Sequence, residues 1–346
     1  MQITTEKRNI QYEYVRAFAI IAVVAIHTFN SAVIIFKNDA SIIDVTIYRC
    51  IINSMWWAVP CFLMLSGKLL LDSNKRISLK KIYVKYILRM LVILFTFGWG
   101  FSWLEIFFDS KVINVREIIF ALKNVLTGKT WAHMWYVYCL IGIYILLPVF
   151  KLIADYASDR ELEYILSAWF VIGMLLHCIK IWNIDFGGYF HIDTIYPFWF
   201  LLGAAHNRKL LKGKKELAFG VGGITTAILS VASIIEVNKS ISLEVFWGYA
   251  SIIVAIQAIS LFEIFISLNI EKGMVNRLIL AIADKSFGIY VVHMVFVNII
   301  YKVLKFNPFD TSAALLFGLF LVIINLIGSF CVVSIMRKIP FIKKYL

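Results

Sequence analysis

Along this sequence apolar residues come in runs far longer than one face of a soluble helix requires, separated by short polar segments. Runs of the length a bilayer crossing needs, about 20 residues, fall at roughly 14–36, 46–71, 86–108, 133–150, 163–182, 189–206, 216–235, 244–268, 286–304 and 312–336. Hydrocarbon offers the backbone no hydrogen-bond partner, so each run predicts a helix and not an open strand. The pattern predicts an all-α, polytopic membrane helical bundle of about ten transmembrane helices. A single transmembrane domain over 1–346, with no additional soluble domain, is expected. The first run starts near Tyr14 with no small-residue cleavage site after it, so it is read as a retained span and not as a cleaved signal peptide.

Composition agrees. Hydrophobic residues make up 61% of the 346 residues, where a soluble domain carries roughly 45–50%. Lysine and arginine sort by side. Under a ten-span, N-in, C-in topology the cytoplasmic segments carry 21 of them and the opposite segments nine, the bias that Lys/Arg near span ends produces. That bias, together with anionic lipid, accounts for the net charge of +13 without any nucleic-acid partner. Cys50, Cys61, Cys139, Cys178 and Cys331 are scattered through apolar runs with no CxxC, and read as small hydrophobes in packed spans.

Ionisable residues within the runs are costly, so each is a functional candidate. In YEYVRAFAIIAVVAIHTFN, Arg16 and His27 are eleven residues apart. That spacing is about 20° past three helical turns, which puts both on one face about 16 Å apart along the axis. Lys68 precedes Arg76, Lys80, Lys81, Lys85 and Arg89, and a regular helix would stack Lys81, Lys85 and Arg89 at i, i+4 and i+8. Such a face suits a polyphosphate or, equally, anionic headgroups. HMWYVYCLIGIYILLP places His133 at an outer span end, where a membrane-interface belt explains Trp135, Tyr136 and Tyr138 better than it explains the histidine. SFGIYVVH puts Ser286, Tyr290 and His293 on one polar stripe, which interhelical hydrogen bonding also accounts for. Glu105 in FSWLEIFF needs a partner, and a histidine on a neighbouring span is a natural one. His177, His191 and His206 show no metal spacing, and GVGGIT at 220–225 follows no strand, so no metal or dinucleotide site is expected.

Taken in order, these segments resemble the acyltransferase 3 family of bacterial membrane O-acyltransferases, over essentially the whole chain. The carriers are the Arg16-to-His27 spacing, SGKLL at 66–70 with the basic stretch to Arg89, HMWYVYCLIGIYILLP at 133–148, FWFLLG at 198–203 and SFGIYVVH at 286–293. One departure is that MLVILF, and not a proline, follows Arg89. The resemblance implies a multi-pass protein of a bacterial cell membrane. It further implies an acyl-CoA donor, usually acetyl-CoA, used as a co-substrate with no tightly bound cofactor, and an acceptor hydroxyl on an envelope glycan or glycolipid. Arg16 and His27 then belong to the active site, and Lys68, Lys81, Lys85, Arg89, Ser286, Tyr290 and His293 are assigned to the donor.

A CoA thioester is long, with polyphosphate at one end and its reactive carbonyl at the other, which matches a basic cytoplasmic collar and a mid-membrane base. His27 is the candidate general base. Glu105 is expected to orient it, and His133 or Tyr290 to donate to the tetrahedral oxyanion. The expected partners are acyl-CoA, the acceptor, the bilayer, and envelope-polysaccharide assembly proteins or further copies of the chain. A different reading is a transporter or flippase of a polysaccharide or lipid intermediate, with His27, Glu105 and His293 lining its path. The sequence shows no clear internal repeat for it. Acyl-CoA hydrolysis or transfer by the purified protein separates the two.

Overall fold

Continuous apolar sequence, broken by Pro, Ser and Asn, sets the helix boundaries. The computed structural model describes residues 9–111, 114–182, 184, 194–210, 215–268 and 273–346. In chain order the helices are α1 (Ile10–Phe36), α2 (Ile42–Asn53), α3 (Ala58–Leu70), α4 (Leu79–Phe108), α5 (Val115–Leu126), α6 (Ala132–Ile145) and α7 (Leu147–Tyr156). There follow α8 (Asp159–Trp182), α9 (Tyr196–Asn207), α10 (Lys215–Lys239), α11 (Ile252–Ile266), α12 (Met274–Val303), α13 (Ala314–Met336) and α14 (Pro340–Tyr345). No strand occurs among the described residues. Side-chain caps fix several starts: Asn9 accepts from Gln11 and Tyr12, Ser41 from Asp44, and Ser158 forms a capping box with Glu161.

Among the described residues seven stretches are long and apolar enough to cross a bilayer: α1, α2 with α3 as Ile42–Leu70, α4, α8, α10, α12 and α13. The pair α6 and α7 makes an eighth if counted as one span bent by 55°. The bend falls just before Pro148, which has no N–H to continue the ladder. The expected count of about ten therefore changes at two places. Segments 189–206 and 244–268 form helices of only 12 and 15 residues, about 18 and 22 Å long against a core of about 30 Å, and residues 189–193 lie outside the described residues. Helix α9 is an interior helix, whereas α11 is buried over most of its length with Ile256 exposed. Pro197 to Ala205 of α9 are buried without interruption. A helix sheathed by protein on every side is as apolar as one sheathed by lipid, so hydropathy alone does not separate them.

Two compact units result. One comprises Met1–Leu69 and Ser158–Ile335, the other Leu70–Ala157 and Met336–Leu346. In the first unit α1 packs along α12, α2 and α11, and α10 packs against α2 and α11. The second unit consists of α4 to α7 and α14, with the amphipathic α5 folded back on the end of α4. There α5 buries Ala121 and Val125 and leaves Ile119 and Leu126 exposed. Helix α4 is not regular, because residues Ile82–Ile87 and Leu94–Gly98 are π-helical.

Candidate active site

Helix α1 supplies three groups. Arg16 pairs with Glu13 one turn earlier, at 2.5 Å, and the Glu13 side chain is only 2% exposed. Glu13 was not among the expected site residues, although an acid three residues before an arginine in an apolar run is the signal that finds it. About 16 Å further along the axis, His27 lies against His293 of α12, with ring centroids 5.1 Å apart. His293 is fully buried, and its Nδ1 meets the Tyr290 carbonyl oxygen at 2.7 Å. A carbonyl only accepts, so Nδ1 of His293 carries the proton and Nε2 presents a lone pair whenever the ring is neutral. The Ser286–Tyr290–His293 stripe is buried along its length and places this histidine on a helix that packs along α1.

Next to His27 the interior is polar. Asn325 of α13 donates to Thr28 Oγ1 at 3.1 Å, and Ser329 donates to Asn325 Oδ1 at 3.2 Å, all three residues being fully buried. This strut was not foreseen. Its signal is an asparagine in the most hydropathic span of the chain, a polar group as conspicuous there as a charged one.

The SGK and FWFLLG segments meet through their glycines. A Cβ on Gly67 would overlap the carbonyl oxygen of Phe200, and one on Gly203 would overlap the carbonyl of Met64 and the amide of Lys68. Helices α3 and α9 thus touch backbone to backbone, and this contact brings together the side chains that follow. Lys68 Nζ reaches His206 Nδ1 at 2.8 Å and donates to Asn207 Oδ1 at 3.0 Å, while Asn207 Nδ2 donates to the Lys68 carbonyl at 2.8 Å. An ammonium has no lone pair, so Nδ1 of His206 accepts, and its Nε2 lies 2.9 Å from Glu263 Oε1 of α11. The Tyr12 ring of α1 lies 5.8 Å from the Lys68 ammonium, so α1 contributes to the same end of the unit. Between this end and His27 lies an aromatic layer, with Phe265 stacked on Phe18 at 5.1 Å and 5.8 Å from Trp57.

In the second unit the basic face differs from the regular-helix expectation. Residues Ile82–Ile87, between Lys81 and Arg89, are π-helical. Lys81 and Lys85 are exposed, whereas Arg89 is half-buried and donates through Nε to the Tyr345 carbonyl at 2.8 Å. Glu105 accepts from Trp131 Nε1 at 2.8 Å. Trp131 stacks on Phe101, with 4.4 Å between centroids, and the buried His133 ring lies 5.7 Å from Phe101. Glu105 and His133 therefore share one aromatic cluster in the second unit, while His27, Arg16, Lys68 and His293 belong to the first.

A chain of apolar helices, with no strand among the described residues and with histidine, lysine and carboxylate groups held inside helix–helix contacts, defines a multi-pass membrane protein with a buried polar centre. The Acyl_transf_3 family, described as an acyltransferase domain, matches residues 9–334, and the chain belongs to that family. It is a membrane acyltransferase. No curated protein and no solved structure matches the chain.

Proposed function

We propose that this acyltransferase moves an acetyl group from cytoplasmic acetyl-CoA to a hydroxyl of a cell-envelope glycan or glycolipid, in the cell membrane of a bacterium. The observation that carries the reading is the axial order within the first unit. The Lys68–His206–Glu263 cluster and Arg16 stand near one end, an apolar aromatic layer follows, and the His27–His293 pair lies beyond it. That order parallels a CoA thioester, anionic at one end and reactive at the other. His27 takes the proton of the acceptor hydroxyl, and the oxygen attacks the thioester carbonyl. The tetrahedral intermediate then expels the CoA thiolate, which recovers a proton, leaving an ester and free CoA. His293 abuts the His27 ring and positions it.

The detergent-purified chain should bind acetyl-CoA in calorimetry and turn it over with an envelope glycan acceptor. Replacing Lys68 by Met should weaken binding by roughly 10- to 150-fold, the equivalent of about 1.5–3 kcal/mol for a hydrogen bond to a charged group. The exposed Lys81 and Lys85 are tested in the same way, and added salt should weaken binding as well. Acetyl-CoA affinity indifferent to all three replacements and to salt would remove the donor assignment.

The reading also requires that the Lys68 end face the cytoplasm and that Lys239, at the far end of α10, lie outside. A single cysteine at position 239, in a background lacking the native cysteines, should react with a membrane-impermeant maleimide added to intact cells. Reaction only after the cells are opened would reverse the orientation.

A further inference from the structure

The first unit contains a cavity of about 510 Å³, within the usual size range of small-molecule sites. It lies at the opposite end of the helices from the Lys68 cluster. Tyr196 opens α9 and faces the cavity, whereas His206 lies near the end of that helix; Ala250 lines it just before α11, whereas Glu263 lies near the end of α11. In the orientation proposed above this is the extracytoplasmic end.

Its wall is built from rings that are tied in place. Gly248 has φ +93°, a left-handed conformation that other residues adopt only with strain, and nothing lies within 4 Å of a Cβ built there. The glycine therefore serves the turn between Trp247 and Tyr249, both of which line the cavity. Trp199 Nε1 donates to the Tyr249 carbonyl at 3.2 Å, and Ser251 Oγ donates to the Phe246 carbonyl at 2.7 Å. Trp56 meets the Tyr249 ring edge-on at 4.9 Å, and Tyr196 stands 6.0 Å from the same ring. Trp56 itself sits in the break between α2 and α3, where Gln257 donates to the Ser54 carbonyl at 3.1 Å. A membrane-interface belt turns its aromatics outward to lipid headgroups. These four rings instead surround a hollow.

The polar part of the wall has one sign. Glu236 and Glu244 line the cavity together with His177 and Ser242, and no lysine or arginine is among the described lining residues. Arg49 interacts electrostatically with Glu236 without lining the cavity. Carboxylates accept from hydroxyl or ammonium donors and repel phosphates and other carboxylates. Aromatic faces beside hydroxyl acceptors suit a ring with C–H groups on its face and O–H groups on its rim. The chemistry therefore favours a sugar and disfavours the CoA polyphosphate or an acidic glycan.

We propose that this cavity is the acceptor subsite and takes an uncharged or amine-bearing sugar ring; the assignment rests on the reading of the chain as a glycan acyltransferase. The full chain in detergent is titrated with N,N′-diacetylchitobiose, chitobiose and digalacturonate as neutral, amine-bearing and acidic probes, with acetyl-CoA as the second ligand. The wild type should bind the first two and not the third. Glu244→Gln and Trp247→Ala should each weaken sugar binding at least tenfold while acetyl-CoA affinity stays unchanged, and Trp247→Phe should recover most of the loss. The unchanged acetyl-CoA affinity shows that the variants are folded. Sugar affinity unaltered in both variants, acidic probe bound as well as neutral, or no probe bound by the wild type would each overturn the assignment. A sugar that is bound and acetylated by the wild type but indifferent to both variants would overturn the cavity alone and leave the glycan reading standing. Acetyl transfer only to an acceptor without sugar would remove that reading itself.

Discussion

Replacing His27 by alanine should cost about 10²–10⁴-fold in acyl-transfer rate, the usual contribution of a general base, and leave acetyl-CoA binding close to that of the wild type. The expectation rests on separation along α1. His27 lies about 16 Å beyond Arg16 and further still from the Lys68 end, so its loss removes chemistry and not the hold on the donor's phosphates. Arg16→Ala is a less clean companion. It strips the cation from Glu13, whose side chain is 2% exposed, and removing one member of a buried ion pair destabilises the fold. With Arg16 itself 31% exposed the penalty falls below that of a fully buried pair, but it still confuses a kinetic comparison. The double variant Glu13→Gln with Arg16→Ala removes both charges together. It should raise the apparent KM for acetyl-CoA with a smaller effect on kcat. Calorimetric binding and a transfer assay on the same preparations decide the matter. Full turnover by a folded His27→Ala protein would move the base to His293, whose ring lies alongside, or to His133 of the second unit.

What the sequence reveals here is confined to single helices. Eleven residues between Arg16 and His27 predict one face because 3.6 residues per turn is a property of one backbone, and the stripe of Ser286, Tyr290 and His293 is legible for the same reason. That the two faces meet is set by packing across 266 residues, which no local period encodes. Lys68 was legible as a cation in a span, but its partners were not. His206 has no metal-ligand spacing, and Glu263, although an acid inside the apolar run 244–268, carries nothing in its local sequence that names its partner. The i, i+4, i+8 spacing of Lys81, Lys85 and Arg89 was legible, but not the π-helical turn Ile82–Ile87 between them, whose five-residue hydrogen bonds leave no mark in the residues that form it, nor the Tyr345 carbonyl that receives Arg89. For Glu105 the expected partner was a histidine on a neighbouring span. The structure supplies the Trp131 indole, a donor hidden among aromatics already explained by the membrane interface.

The second large effect is expected at Gly67 and Gly203, where alanine should break the contact that assembles the donor end. An added methyl normally finds room by moving a neighbouring side chain, but here each Cβ would overlap main-chain atoms: the Phe200 carbonyl for Gly67, and the Met64 carbonyl and Lys68 amide for Gly203. Main-chain atoms inside helices move only with the helix. Helices α3 and α9 must therefore part, and parting carries Lys68 away from His206 and Asn207, whose contacts are 2.8–3.0 Å long. Overpacking of a well-filled interior costs about 1–3 kcal/mol and more when no side chain can yield, so each variant should melt clearly below the wild type. Gly223→Ala is the control. It too lies mid-helix, in α10, but a Cβ there meets nothing within 4 Å. Relief of glycine's helix penalty should leave that variant as stable as the wild type or up to about 1 kcal/mol more so. The functional consequence separates packing from catalysis. At a temperature where it remains folded, Gly203→Ala should lose acetyl-CoA affinity along with Lys68→Met, whereas His27→Ala should keep it. A Gly203→Ala protein with wild-type melting and wild-type acetyl-CoA affinity would show that the backbone contact between α3 and α9 does not hold the cluster together.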